Sequence, residues 1–188
     1  MTKRVYLAGP EVFLHNVSEI GTRKRAICKI HGLIGVFPAE QEAVYDQALP
    51  AMEQGLAISR AMEAAMRQCD AMIVNLTPFR GPSADVGSAY EMGFMRALDR
   101  PIFAYTNDAR FYSERVAAIF GVKTRPTGDI EDAEGMEIES FDLHDNLMLA
   151  GGIVASGGTF VVGAVPVNER YSSLVVFEQC VAQAAARL

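Results

Sequence analysis

Short continuous apolar runs alternate with longer amphipathic segments along most of this chain. The runs lie at 4–8, 33–37, 71–76 and 101–105, and glycine, proline or polar residues stop each of them. This pattern is typical of strands that are buried on both faces. The segments between them, at 16–30, at 52–68, around residue 91 and at 109–120, space their apolar residues as amphipathic helices do, and a further one covers 171–187. The order predicts β-α-β-α-β-α-β-α.

Buried strands that alternate with helices need right-handed crossovers, which place helices on both faces of a parallel sheet. We therefore predict an α/β fold with a doubly wound, flavodoxin-like parallel sheet of about five strands. The length of 188 residues suits a single domain over 1–188. The acidic segment 123–139 is predicted to be an irregular surface excursion. The glycine-rich segment 151–166 fits either a flap or a poorly paired edge hairpin, and the pattern leaves both open.

The charge pattern limits the classes of partner. The formal net charge is −6 and the longest basic run is Arg23–Arg25, so the chain lacks the positive surface that binds a nucleic acid polymer. Neither an apolar span of about 18 residues nor a cationic leader occurs, so we expect a cytoplasmic protein without membrane contact. The three cysteines are an odd number without metal-ligand spacing, and we expect them to be reduced thiols.

The chain shows no motif for a bound cofactor or metal. Neither GxGxxG nor a GxxxxGKS-type phosphate loop follows a strand, and the three histidines lack ligand spacing. Gly87-Ser88 lacks the second glycine of a serine-hydrolase elbow. We expect no cofactor and no metal, which leaves carboxylate chemistry.

Glu91 is the carboxylate that the pattern singles out. It shares a helical stripe with Gly87, Phe94, Met95 and Leu98, so we expect it to point inward, with its carboxylate over Gly87. The alternative is a glutamate that extends to the helix edge or forms a salt bridge. Asp85 precedes the same helix, where it fits either a plain N-cap or a chemical role. Ligands of such sheets bind beyond the carboxyl ends of the strands, where this helix begins.

Four segments together resemble the nucleoside 2-deoxyribosyltransferase family. They are YLAGPEVF from Tyr6, DAMIVNLTPFRGPSADVG from Asp70, EMG from Glu91 and DNLML from Asp145. The resemblance implies transfer of a 2-deoxyribosyl group between nucleobases in nucleoside salvage. It implies that Glu91 is the nucleophile, that Tyr6 hydrogen-bonds it and that Asp85 contacts the substrate. It also implies a homo-oligomer in which a neighbouring subunit supplies Asn146 to fix the sugar 5′-hydroxyl.

The remaining substrate contacts are expectations of the same kind. Phe13 stacks on the base, Gln41 or Glu42 supplies a polar contact, and Phe79, Arg80 and Gly81 shape the rim. Gly9, Pro10, Ser83 and Met148 complete the predicted substrate-binding residues. The partners would be 2′-deoxynucleosides and free nucleobases. Members of the family commonly carry Asp or Asn where this chain has Met62, which removes a polar contact.

Two other functions compete with transfer. Related enzymes of this fold hydrolyse deoxynucleoside 5′-monophosphates and tend to carry Ser where this chain has Asp85. A carboxylate there would repel a phosphate by roughly 1–4 kcal/mol at close range. A non-catalytic nucleotide-binding module would keep the pocket without needing a nucleophile. The combination of Glu91, Tyr6 and Asn146 favours an enzyme over such a module.

Overall fold

The computed structural model describes residues 1–38 and 48–188. The strands are β1 Arg4–Ala8, β2 Ile34–Val36, β3 Ala71–Asn75, β4 Ile102–Thr106, β5 Lys123–Thr124, β6 Ile130–Glu131 and β7 Phe160–Val162. Five of them form one sheet in the order β2-β1-β3-β4-β7, and every neighbouring pair in it is parallel. The helices are α1 Val17–Ile30, α2 Ala51–Arg67, α3 Val86–Ala97, α4 Tyr112–Phe120, α5 Leu147–Ala155 and α6 Val175–Ala185.

Helices cover both faces of the sheet because successive strand residues point to opposite sides. On one face, Val5, Leu7 and Ile73 pack with residues of α1 and α6. On the other face, Tyr6 and Val74 belong to a cluster with residues of α2, α3 and α5. The predicted fold class is thus confirmed.

The chain order creates a crevice at one edge of the sheet. From β1 the chain passes to β2 on one side, and β3 then pairs with β1 on the other side. The connections that leave the carboxyl ends of β1 and β3 therefore diverge, and diverging connections open a ligand crevice in sheets of this kind. A one-turn 3-10 helix, Pro10–Phe13, follows β1 at this point.

The glycine-rich segment 151–166 is neither of the structures considered from the sequence. It contains the end of α5 and then the parallel edge strand β7, which pairs with β4. A Cβ on Gly158 would collide with the backbone carbonyl of Ile102, so only glycine permits this close approach. The acidic segment also has more order than predicted, since β5 and β6 form a two-stranded antiparallel sheet. Among the described residues, no helix is both long and apolar enough to cross a membrane.

Candidate active site

Helix α3 begins at the crevice, and Asp85 is its N-cap. Its Oδ2 accepts hydrogen bonds from the backbone N–H of Ser88 at 2.9 Å and from the Ser88 hydroxyl at 3.2 Å. The buried residues of the helix are Ser88, Met92 and Met95. The apolar stripe predicted from the sequence is therefore rotated, because Gly87 is exposed and Glu91 lies at the margin of the buried face.

Glu91 turns toward the sheet instead of lying over Gly87. Its Oε1 accepts a hydrogen bond of 2.6 Å from the hydroxyl of Tyr6, whose ring is fully buried on β1. The space over Gly87 is taken by Oδ2 of Asp85, which would lie 3.0 Å from a Cβ at that position. Within the described residues Glu91 forms no salt bridge, and its half-buried side chain is hydrogen-bonded to a phenol instead of extending to the helix edge.

The surroundings of Glu91 act on its protonation in opposite directions. Together they raise its pKa to about 7: burial raises it most, the hydrogen bond from Tyr6 lowers it, and the nearby Asp85 raises it. The pKa of Tyr6 is raised far above its ordinary value, chiefly by burial and then by Glu91, so Tyr6 stays a hydrogen-bond donor. A carboxylate with a pKa near neutrality beside a cavity is a candidate for catalysis.

A cavity of about 280 Å³ adjoins this pair and is mostly apolar. Connections that follow β1, β2 and β3 contribute to its wall together with α2 and α3. The described residues that line it are Gly9, Val12, Phe13, Pro38, Ile58, Met62, Asp85, Gly87, Ser88 and Glu91. Met62 thus faces the same space as Glu91. A cavity of this size and lining can hold a small ligand through apolar contacts.

Two aromatic rings and a guanidinium pack behind Phe13, which lines the cavity. The rings of Phe13 and Phe79 stack with centroids 5.1 Å apart, and the guanidinium of Arg80 lies 5.0 Å and 4.7 Å from them. Tyr171 meets Phe79 edge-on and donates its hydroxyl proton to the carbonyl of Pro78. Phe13 remains 54% exposed, so part of its ring is free for a ligand.

The loop before α3 is tied to the segment before α5. Ser83 donates its hydroxyl proton to Asp145, which also accepts the backbone N–H of Ala84 at 2.9 Å. Buried Arg115 lies 3.7 Å from Asp145 and donates to three backbone carbonyls, including Pro82 at 2.7 Å. We predicted that Ser83 binds substrate, but in this structure its hydroxyl is already hydrogen-bonded to Asp145.

Asn146 and Met148 lie away from the cavity of their own chain. Asn146 is the N-cap of α5, accepting from the N–H of Met148 at 3.0 Å and donating to Glu139 at 2.7 Å. Met148 is 73% exposed and lines a separate apolar groove of about 500 Å³ between α3 and α5. The structure therefore does not bring either residue together with Glu91 in one chain.

The other residues that were predicted to bind substrate lie in different places. Gly9 lines the cavity, with φ of 150°, and a Cβ there would meet Oε2 of Glu11 and lie 2.7 Å from Cβ of Asn75. Pro10 is buried and starts the 3-10 helix, whereas Gly81 is exposed beside Arg80. Gln41 and Glu42 lie outside the described residues. Within 1–38 and 48–188, no cluster of His, Cys, Asp or Glu could hold a metal ion.

Sequence reasoning missed a buried polar network under the crevice. Glu11 accepts from Lys24 at 2.7 Å, from Tyr105 at 2.7 Å and from Asn75 at 3.0 Å, all on Oε1. Lys24 is fully buried. The pattern did contain a sign of this, because Lys24 occupies a position of the apolar stripe of α1.

Comparison with known proteins supports one family. The sequence profile of the family described as nucleoside 2-deoxyribosyltransferase matches residues 5–148. An uncharacterized protein of Schizosaccharomyces pombe is 34% identical over an alignment of 182 positions, and the match covers 91% of this chain and 86% of that protein.

Solved structures share the fold. A 2-deoxyribosyltransferase from Leishmania mexicana has a TM-score of 0.57 and 28% identity, over 78% of this chain and 85% of that one. A CMP N-glycosidase of Clostridium botulinum has a TM-score of 0.44 and 13% identity, over 90% of this chain and 93% of that one, a likeness too weak to indicate a reaction. The profile match, together with the carboxylate held in a cavity at the crevice, shows that this chain belongs to the nucleoside 2-deoxyribosyltransferase family.

Proposed function

We infer that this protein transfers the 2-deoxyribosyl group of a 2′-deoxynucleoside to another nucleobase, with Glu91 as the nucleophile. The observation that carries this function is the Glu91 carboxylate, which is hydrogen-bonded to Tyr6 and borders a cavity at the carboxyl edge of the sheet. A carboxylate that is partly removed from water is less hydrated, so in its ionised form it is a stronger nucleophile than one in bulk water.

The reaction would proceed by two displacements at C1′ of the sugar. An oxygen of Glu91 bonds to C1′ while the bond from C1′ to the base nitrogen breaks and its electron pair leaves with the base. A second base then attacks C1′ with a ring nitrogen, breaks the ester and restores the carboxylate. Two inversions retain the configuration at C1′, as in retaining glycosidases.

Asp85 is the proposed site of proton exchange with the base. Its Oδ2 caps α3, while its Oδ1 makes no hydrogen bond within the described part of the chain. A protonated ring nitrogen makes the base a better leaving group, and Asp85 borders the same cavity as Glu91. Tyr6 would hold Glu91 in the orientation that attack requires.

The biological setting is part of the proposal. The substrates would be free 2′-deoxynucleosides and nucleobases, which suits a role in nucleoside salvage. Cys28, Cys69 and Cys180 are all free and buried, which suits the reducing cytoplasm.

The decisive experiment is incubation of the protein with thymidine or deoxyinosine plus adenine, followed by chromatography. We expect deoxyadenosine to form, and we expect E91Q to reduce the rate by at least about 10³-fold, since the nucleophile is lost. E63Q is the matched control, because Glu63 is also bonded to a tyrosine, Tyr90, but lies on the surface. Free deoxyribose instead of deoxyadenosine would indicate a hydrolase, and no product would indicate a binding module.

The raised pKa of Glu91 can be tested without an activity assay, by comparing the stability of E91Q and wild type at two pH values. The wild-type carboxyl has a pKa of about 7 when folded, against an ordinary value of 4.5, so its ionisation destabilises the folded state as the pH rises through 7. Urea unfolding at pH 8 should therefore show E91Q to be more stable than wild type, by up to about 3 kcal/mol. At pH 4 the two should be equal. A less stable E91Q at pH 8 would contradict the buried, destabilised carboxylate.

A further inference from the structure

The network that starts at Glu11 continues across the carboxyl ends of three strands. Oδ1 of Asn75 accepts from the backbone N–H of Thr77 at 2.9 Å and from its hydroxyl at 2.6 Å. The hydroxyl of Thr77 in turn accepts from the backbone N–H of Asn107 at 3.0 Å. The side chains from Lys24 through Asn107 are all at most 2% exposed. The crevice therefore rests on a continuous layer of buried hydrogen bonds.

Phe13, which lines the cavity, and the two rings packed behind it each lie close in sequence to a residue that belongs to this layer or bonds to it. Phe13 comes two residues after Glu11, and Phe79 comes two residues after Thr77. The third ring, Tyr171, follows Arg170, whose carbonyl accepts from Nδ2 of Asn107 at 2.7 Å. Three loops that are far apart in the chain are thus anchored to one network, and each carries one ring of the Phe13–Phe79–Tyr171 group.

We propose that the buried network of Glu11, Lys24, Asn75, Tyr105, Thr77 and Asn107 positions the Phe13–Phe79–Tyr171 group as a rigid platform, whose cavity-lining ring, Phe13, stacks on the nucleobase. Its members are positioning residues, because none of them lines the cavity of Glu91. The proposal rests on the proposed function for the identity of the ligand.

A rigid platform affects binding more than chemistry. Rings that already stand in the stacking orientation lose little conformational entropy when the base arrives, so preorganisation lowers KM. Glu91 and Tyr6 belong to α3 and β1 and have no hydrogen bond to the network within the described residues. Loosening the network should therefore raise KM and leave kcat almost unchanged.

The kinetic test uses two mild variants and their matched controls. T77V removes the hydroxyl that joins Asn75 to Asn107, and Y105F removes one donor to Glu11 while keeping the ring against Phe177. T22V and Y90F remove exposed hydroxyls that also hydrogen-bond, to Ser18 and Glu63 respectively. We expect each network variant to raise KM for both nucleoside and base by about fivefold, with kcat within about twofold of wild type.

A second readout needs no enzyme activity. The chain contains no tryptophan, so F13W introduces a single indole into the platform as its own fluorescent reporter. In this background we expect T77V and Y105F to lower the residual fluorescence anisotropy and to increase quenching by acrylamide. The T22V and Y90F backgrounds should match F13W alone.

The outcomes separate this proposal from the proposed function. Raised KM in the network variants, together with a more mobile indole in their F13W background, supports the platform. Unchanged KM with a lower melting temperature would show a purely structural network and overturn it, as would unchanged anisotropy. If wild type performs no exchange, the proposed function fails, and the anisotropy of the F13W variants still decides whether the network positions the platform.

Discussion

Burial, Asp85 and Tyr6 have opposing effects on the pKa of the Glu91 carboxyl group. Burial and the negative charge of Asp85 favour the protonated form, whereas the hydrogen bond from Tyr6 favours the ionised form. The resulting pKa of about 7 means that the carboxylate is partly ionised at neutral pH. Since only the ionised form can attack, kcat/KM should rise with pH through about 7 and reach a plateau above it.

The Y6F variant, which removes the Tyr6 hydroxyl, tests these opposing effects on the pKa of Glu91. In Y6F the hydrogen bond that lowers the pKa of Glu91 is absent, so the pKa rises and the acid limb of the kcat/KM profile should move to higher pH. We also expect kcat on the plateau to fall by about tenfold, because the carboxylate loses its orienting partner. Y90F, which removes a phenol from an exposed glutamate, should change neither quantity. An acid limb at lower pH in Y6F would contradict the assignment.

Contacts at its first turn hold helix α3 in place. Asp85 caps it, and the preceding loop is held by Asp145, which receives the N–H of Ala84 at 2.9 Å and the hydroxyl of Ser83. Asp145 is fully buried beside Arg115, and burial raises the pKa of Asp145 while these donors and Arg115 lower it. The loop is thus held by the buried pair of Asp145 and Arg115. Removing one member of a buried ion pair lowers stability, because the other charge is then left unpaired.

Two substitutions in this loop should differ in their effect on stability. D145N leaves buried Arg115 without a counter-ion and should reduce the free energy of unfolding by about 3 kcal/mol. S83A removes one hydrogen bond and should cost about 1 kcal/mol. Urea denaturation followed by circular dichroism measures both. Equal losses for the two variants would mean that the charge of Asp145 contributes nothing to the loop.

In the described part of the chain, an apolar surface along α5 is uncovered. Helix α5 exposes Met148 and Val154, and the groove between α3 and α5 is lined mostly by apolar atoms. Asn146 begins this helix and stays outside the cavity of its own chain. These observations suit the homo-oligomer that the family resemblance implies, and we propose that Asn146 reaches the cavity of a neighbouring copy.

Mixing two inactive variants tests this arrangement. E91Q lacks the nucleophile and N146A lacks the sugar contact, so each alone should be inactive or nearly so. A mixed dimer pairs the intact Glu91 of one subunit with the intact Asn146 of the other. After unfolding and refolding an equimolar mixture, about a quarter of wild-type activity should return, because half the dimers are mixed and each has one complete site. No recovery would place Asn146 in the site of its own chain or outside any site.

Periodicity was sufficient to predict the first four strands of the main sheet and the helices between them, because strand and helix spacing are local properties. The predicted strand at 4–8 coincides with β1, and the predicted helix at 52–68 is α2 to within one residue at each end. The fifth strand escaped detection, since β7 has only three residues among glycines. Its place depends on the close approach of Gly158 to Ile102 in β4, which no local pattern contains.

The sequence alone established the doubly wound fold and the presence of a carboxylate on α3, since hydrophobic spacing and residue type carry that information. Which direction Glu91 faces was decided by Tyr6, which lies 85 positions away in the chain. The engagement of Ser83 with Asp145, and the burial of Lys24 against Glu11, likewise became visible only in three dimensions. The physical reason is common to all three: a polar side chain takes its role from the partner it meets, and that partner comes from a distant segment.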